Sequence, residues 1–262
     1  MFQLKSTSEI EMMRIAGRIV GEALEAMRDA IVPGVTTTLD LDEVAADVLS
    51  RRGAKPVLLG YKPSFSEVPY QHHTCISVND AVVHGVPSKD LVLQEGDLVS
   101  LDMDASVDGW CADATITVPV GQVSSAAKNL LTVTREALYK GIAQAKVGNT
   151  TGDIGFAVHQ HADRSKYGVV RELIGHGIGR TPHEDPQVPN YGRRGSGVRL
   201  RAGMTICIEP MVNIGTREVV HRPGDVWTIF SGDGTLSAHF EHTVAITEDG
   251  PDILTLPPSE GK

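Results

Sequence analysis

The sequence predicts an α+β fold made of two similar halves, about residues 1–122 and 123–262, forming one domain over 1–262. Three observations predict it. Helix-type and strand-type patterning alternate twice along the chain. Four short motifs recur in the same order in each half. The strand-type segments of both halves carry acids at matched positions.

Residues 8–29 read as an amphipathic helix, with Ile10, Met13, Val20, Leu24 and Met27 near helical spacing and Ser8 with Glu11 offering a capping box. VPGVTTTLDLDEVAADVLSRRG ends that helix and starts a second. From about 74 to 120, β-branched runs and the turn pair Asp108-Gly109 predict strands and a hairpin. Helical patterning returns at 124–146. PGVTTTLDL (33–41) is then echoed by VGNTTGDIG (147–155), LQEGDLVSLD (93–102) by LRAGMTICIE (200–209), and DATITV (113–118) by EHTVAI (241–246). His84-Gly85 and His176-Gly177 precede the glycine-acid strands of their halves. An approximate two-fold would bring both sets of acids to one shared interface, a favoured place for a binding pocket.

Composition narrows the function. Hydrophobic content of 41% and charged content of 22% suit a soluble globular chain. A net charge of -9 argues against a nucleic-acid-binding surface. No apolar run approaches the roughly 20 residues of a membrane helix, and MFQLKSTSEIEMM lacks the apolar core of a signal peptide. Cys75, Cys111 and Cys207 are far apart, without CxxC spacing, so neither a disulfide framework nor a zinc knuckle is suggested. The expected compartment is the cytoplasm, and the expected state a monomer.

The segment LDMDASVDGWCADAT (101–115) holds four aspartates within strand patterning. With Asp108-Gly109 as a two-residue turn, Asp104 faces Asp113 and Asp102 lies diagonal to it, all on one side of the sheet. Converging carboxylates repel, and divalent cations resolve this. The second half adds Glu209 in MTICIEP, Glu241 in HFEHTVAIT and His176 in LIGHGIG. Four carboxylates and a neutral imidazole would balance two divalent ions, a device that activates a bridging water for hydrolysis. The oxygen-rich set suits manganese, iron or cobalt better than a closed structural zinc site. Asp108 reads as a turn residue, and Asp104 as solvated or placed behind the ligands. His72, His73, His159 and His161 read as surface residues, and Cys207 as core.

NDAVVHGVP (79–87), LDMDASVDGWCADAT, GHGIGRTPHEDPQVPNY (175–191), GMTICIEPM (203–211) and LSAHFEHT (236–243) together resemble the type I methionine aminopeptidases, over about residues 4–256. The resemblance implies the pita-bread fold, two αβ halves around an antiparallel sheet. It implies that Asp102 and Asp113 hold one metal with Glu241, that Asp113 and Glu241 bridge to a second, and that His176 and Glu209 complete that one. Cobalt, manganese, iron and zinc are the implied ions, with a monovalent cation nearby. His84 would contact the substrate's N-terminal amide, His183 the scissile carbonyl, and Glu209 would take the proton of the attacking water. Tyr61, Cys75 and Trp227 match positions that line the methionine pocket. The segment 62–74 is longer than the family pattern, leaving Phe65 or Tyr70 for the rim, and Pro182 stands where an aromatic is expected.

The implied activity is removal of N-terminal methionine from nascent polypeptides with a small second residue, near the ribosomal exit tunnel. Proline-directed relatives share the ligands but carry a further N-terminal domain, whereas here catalytic sequence starts almost at once. A non-catalytic binding module of this fold would have replaced ligands, and all five positions are kept. Type II enzymes insert a helical stretch between the last two glutamates, and only 31 residues separate Glu209 from Glu241.

Overall fold

A computed structural model describes residues 3–62 and 68–259. Four long helices, α1 (Thr7–Asp29), α2 (Thr38–Arg52), α3 (Ser125–Ile142) and α4 (Thr151–Asp163), cover one face of a curled sheet. The site depends on nine strands: β1 (Cys75–Val78), β2 (Leu98–Val107), β3 (Trp110–Pro119), β4 (Gly175–Gly177), β5 (Glu184–Val188), β6 (Thr205–Ile208), β7 (Met211–Asn213), β8 (Ser237–His239) and β9 (Glu241–Thr247). The main sheet runs β2–β3–β9–β6–β4–β5 with every pairing antiparallel, and β1 pairs with β2. The halves join where β3 meets β9, through Glu241↔Thr115 and His242↔Ala114.

Strand parity decides what lies on each face. Leu101, Met103, Ala105, Ala112 and Ala114 pack under α1 and α2, with Leu24, Met27 and Leu41. Their neighbours Asp102, Asp104, Asp113 and Thr115 therefore point to the opposite face. In the second half, Ile206, Ile208 and Val244 pack with Leu130, Leu138 and Ile154 of α3 and α4. Residues buried on the helical side anchor the sheet, so the polar face is held in register by a core it does not touch.

Both halves use the same devices. Thr37 caps α2 and exchanges bonds with Asp40, as Thr150 caps α4 and exchanges bonds with Asp153. Thr37 bridges Val92, and Thr150 bridges Arg199. Gly96 and Gly203, with φ of 97° and 88°, make the matched turns into β2 and β6.

Two expectations need correction. The cap of α1 is Ser6 with Glu9, rather than Ser8 with Glu11: Glu9 Oε2 accepts from the Ser6 backbone at 2.8 Å. Both pairs have capping-box spacing, but Lys5 N is held by Gly203 O at 2.7 Å, and this fixes the chain entry two residues earlier. α3 ends at Ile142, before 146, because Gln144 and Ala145 close turns onto Gly141 and Ile142.

Candidate metal centre

The hairpin has the expected register. Asp104 pairs with Asp113 and Asp102 with Thr115, and Asp108 and Gly109 form the turn with φ of 49° and 76°. Asp113 is fixed through its backbone: its N donates to Thr243 Oγ1 at 2.9 Å, and Thr243 Oγ1 donates to Asp113 O at 2.8 Å. Thr115 Oγ1 lies 2.9 Å from Asp102 Oδ1 and 3.0 Å from Glu241 Oε2. Its single proton serves one carboxylate at a time. Glu209 follows β6, and its backbone carbonyl accepts from Asn190 Nδ2 at 3.0 Å.

These acids share a largely buried space. Asp113 Oδ1 and Glu241 Oε1 are buried with no hydrogen-bond partner among the described residues. Burial, followed by the charges of Glu241, Asp104, Asp102 and Glu209, pushes Asp113 well above the usual carboxylate range. Burial with the Glu241 and Asp102 charges does the same to Glu209. Burial raises Asp102 to about 6, and burial with the Asp102 charge raises Glu241 to about 8. Such a set holds protons or cations, not bare charges.

His176 adds a neutral nitrogen to this set. Its Nδ1 lies 2.9 Å from Gly177 O, and a carbonyl only accepts, so Nδ1 carries the proton. Burial and His183 push the imidazole down to about 4, so it is neutral and Nε2 presents a lone pair. That lone pair stands 3.4 Å from Glu209 Oε1. This is no ion pair. With Glu209 ionised, two acceptors face one another, and a cation between them would satisfy both. With the unpartnered Asp113 and Glu241 oxygens, the donor set fits hard or borderline divalent ions. Ligand atoms of Asp113, His176, Cys207 and Glu241 lie within 4.8 Å of one another, the one such group among the described residues.

Cys207 is core, as expected, being fully buried, but it lies directly behind the acids, its Sγ 3.6 Å from Thr243 Oγ1. Burial and the charges of Glu241 and Asp113 hold its thiol well up, hence protonated. Asp104 is not solvated. It is 3% exposed, accepts from Leu58 N at 3.1 Å, and is pushed up to about 8 by burial and the Asp102 charge.

A cavity of about 250 Å³ opens over these acids, and Tyr61, Cys75, His84, His183 and Trp227 line it with Tyr70 and Met211. The His183 ring lies 4.4 Å from that of His176 and 6.1 Å from that of Tyr61. Burial lowers His183, while burial, His183 and His221 lower His84 to about 4, so both are neutral donors. His84 adopts a φ of 58°, unusual for a non-glycine residue. Tyr70 lines the cavity: it is 2% exposed, meets Trp227 edge-on at 4.9 Å, and its hydroxyl lies 3.0 Å from Thr74 O. Phe65, the other rim expectation, lies outside the described residues. A larger cleft of about 910 Å³ opens on the helical side between α1 and α3. The ion-holding group lies elsewhere, so size does not locate the chemistry.

The histidines expected on the surface are partly buried, and three are engaged. His73 Nδ1 is 3.0 Å and His72 Nδ1 is 3.6 Å from Asp42 Oδ2, and His161 Nε2 is 2.9 Å from Glu136 Oε2. Asp42 is buried and requires donors, so it gathers the backbone of His73 and Thr74 as well. This ties the loop before Cys75 to α2.

His239 is the residue missed in the sequence. It is 3% exposed, lines the cavity, and places Nε2 3.9 Å from Glu209 Oε2. Its one sequence signal is parity, since it stands two residues before Glu241 in SAHFEHT.

The sequence pattern of metallopeptidase family M24 matches residues 11–248. A methionine aminopeptidase of Aquifex aeolicus is 48% identical, over 97% of this chain and 98% of its own length. That of Clostridium acetobutylicum is 45% identical, over 98% and 99%. The crystal structure of methionine aminopeptidase from Thermotoga maritima superposes with a TM-score of 0.93 at 44% identity, covering 98% of this chain and 100% of that one. Prolidase from Pyrococcus furiosus superposes at 0.76 with 25% identity, covering 96% of this chain and 65% of that one.

Proposed function

This chain belongs to metallopeptidase family M24, and from that premise we propose that it is a methionine aminopeptidase, a hydrolase that releases the N-terminal methionine of polypeptides with a small second residue. The observation that carries this reading is the His176 Nε2 lone pair facing Glu209 Oε1 at 3.4 Å beside the unpartnered oxygens of Asp113 and Glu241. Identity of 45–48% along nearly the whole length of methionine aminopeptidases supports it over a proline-directed activity, where likeness to prolidase is 25%.

Asp102, Asp113 and Glu241 would hold one divalent ion, and Asp113, Glu241, His176 and Glu209 a second. When bound, such ions lower the pKa of a water and draw charge from a developing oxyanion. The rest is the work of side chains. Glu209 lines the cavity, where its carboxylate can serve as the base. It takes the proton of the water that attacks the first peptide carbonyl and returns it to the leaving amine. His183 donates to the carbonyl oxygen as charge builds there, and His84 donates to the substrate's N-terminal amide. Tyr61, Tyr70, Cys75 and Trp227 receive the methionine side chain, an aromatic and sulfur lining suited to a flexible thioether.

Residues 1–262 are taken to act as a single catalytic domain, working as a monomer in the cytoplasm on nascent chains near the ribosomal exit tunnel. No helix of the described residues is long and apolar enough to cross a membrane. The test is methionine release from Met-Ala-Ser by chelator-stripped protein with manganese, cobalt, iron or zinc restored, with and without a monovalent salt, beside an Ala-Pro peptide. Metal-dependent release of methionine alone is expected, and the most effective ion names the metal. Cleavage of Ala-Pro would move the chain to the proline-directed branch, and no cleavage with any ion would return it to the binding modules of this fold.

A further inference from the structure

His239 is built into the centre without a partner of its own. Its main chain is fixed twice by one hydroxyl: His239 N donates to Thr117 Oγ1 at 2.8 Å, and Thr117 Oγ1 donates to His239 O at 2.7 Å. Ser100 lies 2.8 Å from the same hydroxyl, and because the threonine proton is already used, Ser100 is the donor there. β8 also pairs with β7 through Met211↔His239. The ring therefore has little freedom. Yet both ring nitrogens are buried without a hydrogen bond, an arrangement native proteins rarely keep without a use.

A carboxylate faces one of these nitrogens: Glu209 Oε2 lies 3.9 Å from Nε2. The other oxygen of that carboxylate faces His176. An imidazole always keeps at least one ring N–H to give. Glu209 thus stands between two imidazoles of opposite kind: one offers a lone pair, the other an N–H.

We propose that His239 is a positioning residue for Glu209, carrying its proton on Nε2 and donating it to Glu209 Oε2. This leaves Oε1 turned toward His176, where a cation would be held. A carboxylate that must both hold an ion and receive a proton gains from a donor that fixes which oxygen does which; partners behind the ligands commonly act so. The inference rests on the proposed role of Glu209, and it adds a residue to that site through hydrogen bonding alone.

The test compares His239→Leu, which removes the donor at similar volume, with His239→Gln, whose amide N–H reaches a similar place. The Leu variant should bind manganese or cobalt about tenfold more weakly by calorimetry and lose about 10- to 100-fold in kcat with KM little changed. The Gln variant should recover most of both. In the unmodified protein, long-range ¹⁵N–¹H spectra, with His239 assigned from the signal lost in the Gln variant, should show the Nε2–H tautomer. A Leu variant equal to the parent, a Gln variant as weak as Leu, or an Nδ1–H tautomer overturns the proposal. Calorimetry needs no substrate, so a protein that cleaved no methionine peptide would defeat the proposed activity and leave this test standing.

Discussion

His176 Nε2 and Glu209 Oε1 face each other across 3.4 Å, and the ring proton of His176 does not lie between them. The His176 proton is committed to the Gly177 carbonyl on the far side of the ring. A glutamate drawn to a histidine in this manner usually marks an ion pair, but here burial keeps the imidazole neutral. The contact makes sense as one edge of a cation site.

Asp113 occupies the centre of that site. It is 9% exposed, Oδ1 has no partner, and the charges of Glu241, Asp104, Asp102 and Glu209 all act on it. Replacing it by Asn keeps the shape and the Thr243 backbone bonds but removes the charge. Asp113→Asn should lower metal affinity by more than about 100-fold, beyond what partners behind the ligands usually cost. Metal analysis after dialysis, with turnover at saturating metal, checks this. Substantial retained turnover would remove Asp113 from the ligand set.

His183 lies over the cavity, its ring 4.4 Å from that of His176. In the proposed mechanism it donates to the carbonyl oxygen and holds no ion. His183→Ala should lower kcat about 10²- to 10³-fold, the usual cost of an oxyanion donor, with metal content unchanged. Loss of metal from this variant would assign His183 to the ligands instead.

How much of this was legible in the sequence follows from the range of each interaction. Period-two alternation placed Asp102, Asp104 and Asp113 on one face, and the Asp108-Gly109 turn set the register, because both are local rules. Whether that face met solvent or a closed cavity is a tertiary matter, and so Asp104 read as either solvated or placed behind the ligands, and it is buried. Asp42 gathers His73 and Thr74 across 31 and 32 residues, a pairing no local pattern announces. His239 had only parity to recommend it, since its relation to Glu209 arises from β8 lying against β7. The α1 cap failed for a different reason: two overlapping boxes fit the same rule, and a contact from Lys5 to the distant Gly203 chose between them.

Gly17 shows where the fold has no room. A Cβ built there would lie 2.2 Å from the Leu254 carbonyl oxygen. Alanine is the better helix former by about 1 kcal/mol, but the obstacle is backbone and cannot turn aside. Gly17→Ala should therefore destabilise by about 1–3 kcal/mol, lowering Tm by several degrees. An unchanged or raised Tm would mean that the C-terminal segment yields freely to α1. Gly53, which ends α2 at a φ of 67° with nothing within 4 Å, would suffer from alanine through backbone strain alone.

Buried acids also dictate how stability depends on pH. Asp104 and Glu241 titrate at about 8 in the folded chain, and Asp113 and Glu209 well above their ordinary range, against about 4 for all of them when unfolded. Between those values the folded state binds more protons than the unfolded one, so stability falls as pH rises. The lowered histidines, His84, His176, His239 and His242, act in the opposite sense, since the unfolded chain binds their protons. Their contribution is nearly complete by about pH 7, above their unfolded value. Acids with lowered values, such as Asp40 and Asp233, are ionised in both states at that pH. Above pH 7, therefore, the buried carboxylates dominate. Chelator-stripped protein should lose about 5 °C of Tm between pH 7 and 8.5, where a kcal/mol or two shifts a chain of this size by several degrees. Saturating manganese or cobalt should reduce that loss, because ligand acids bound to an ion carry no proton to release, while Asp104 and the buried thiols still titrate. The stabilisation by metal should consequently be larger at pH 8.5 than at pH 7, with proton release on binding smaller at the higher pH. Thermal melts and calorimetry in two buffers at each pH measure both. A Tm of the stripped protein that rises from pH 7 to 8.5 would mean the acids are already ionised without metal, and that the repulsion inferred among them is absent.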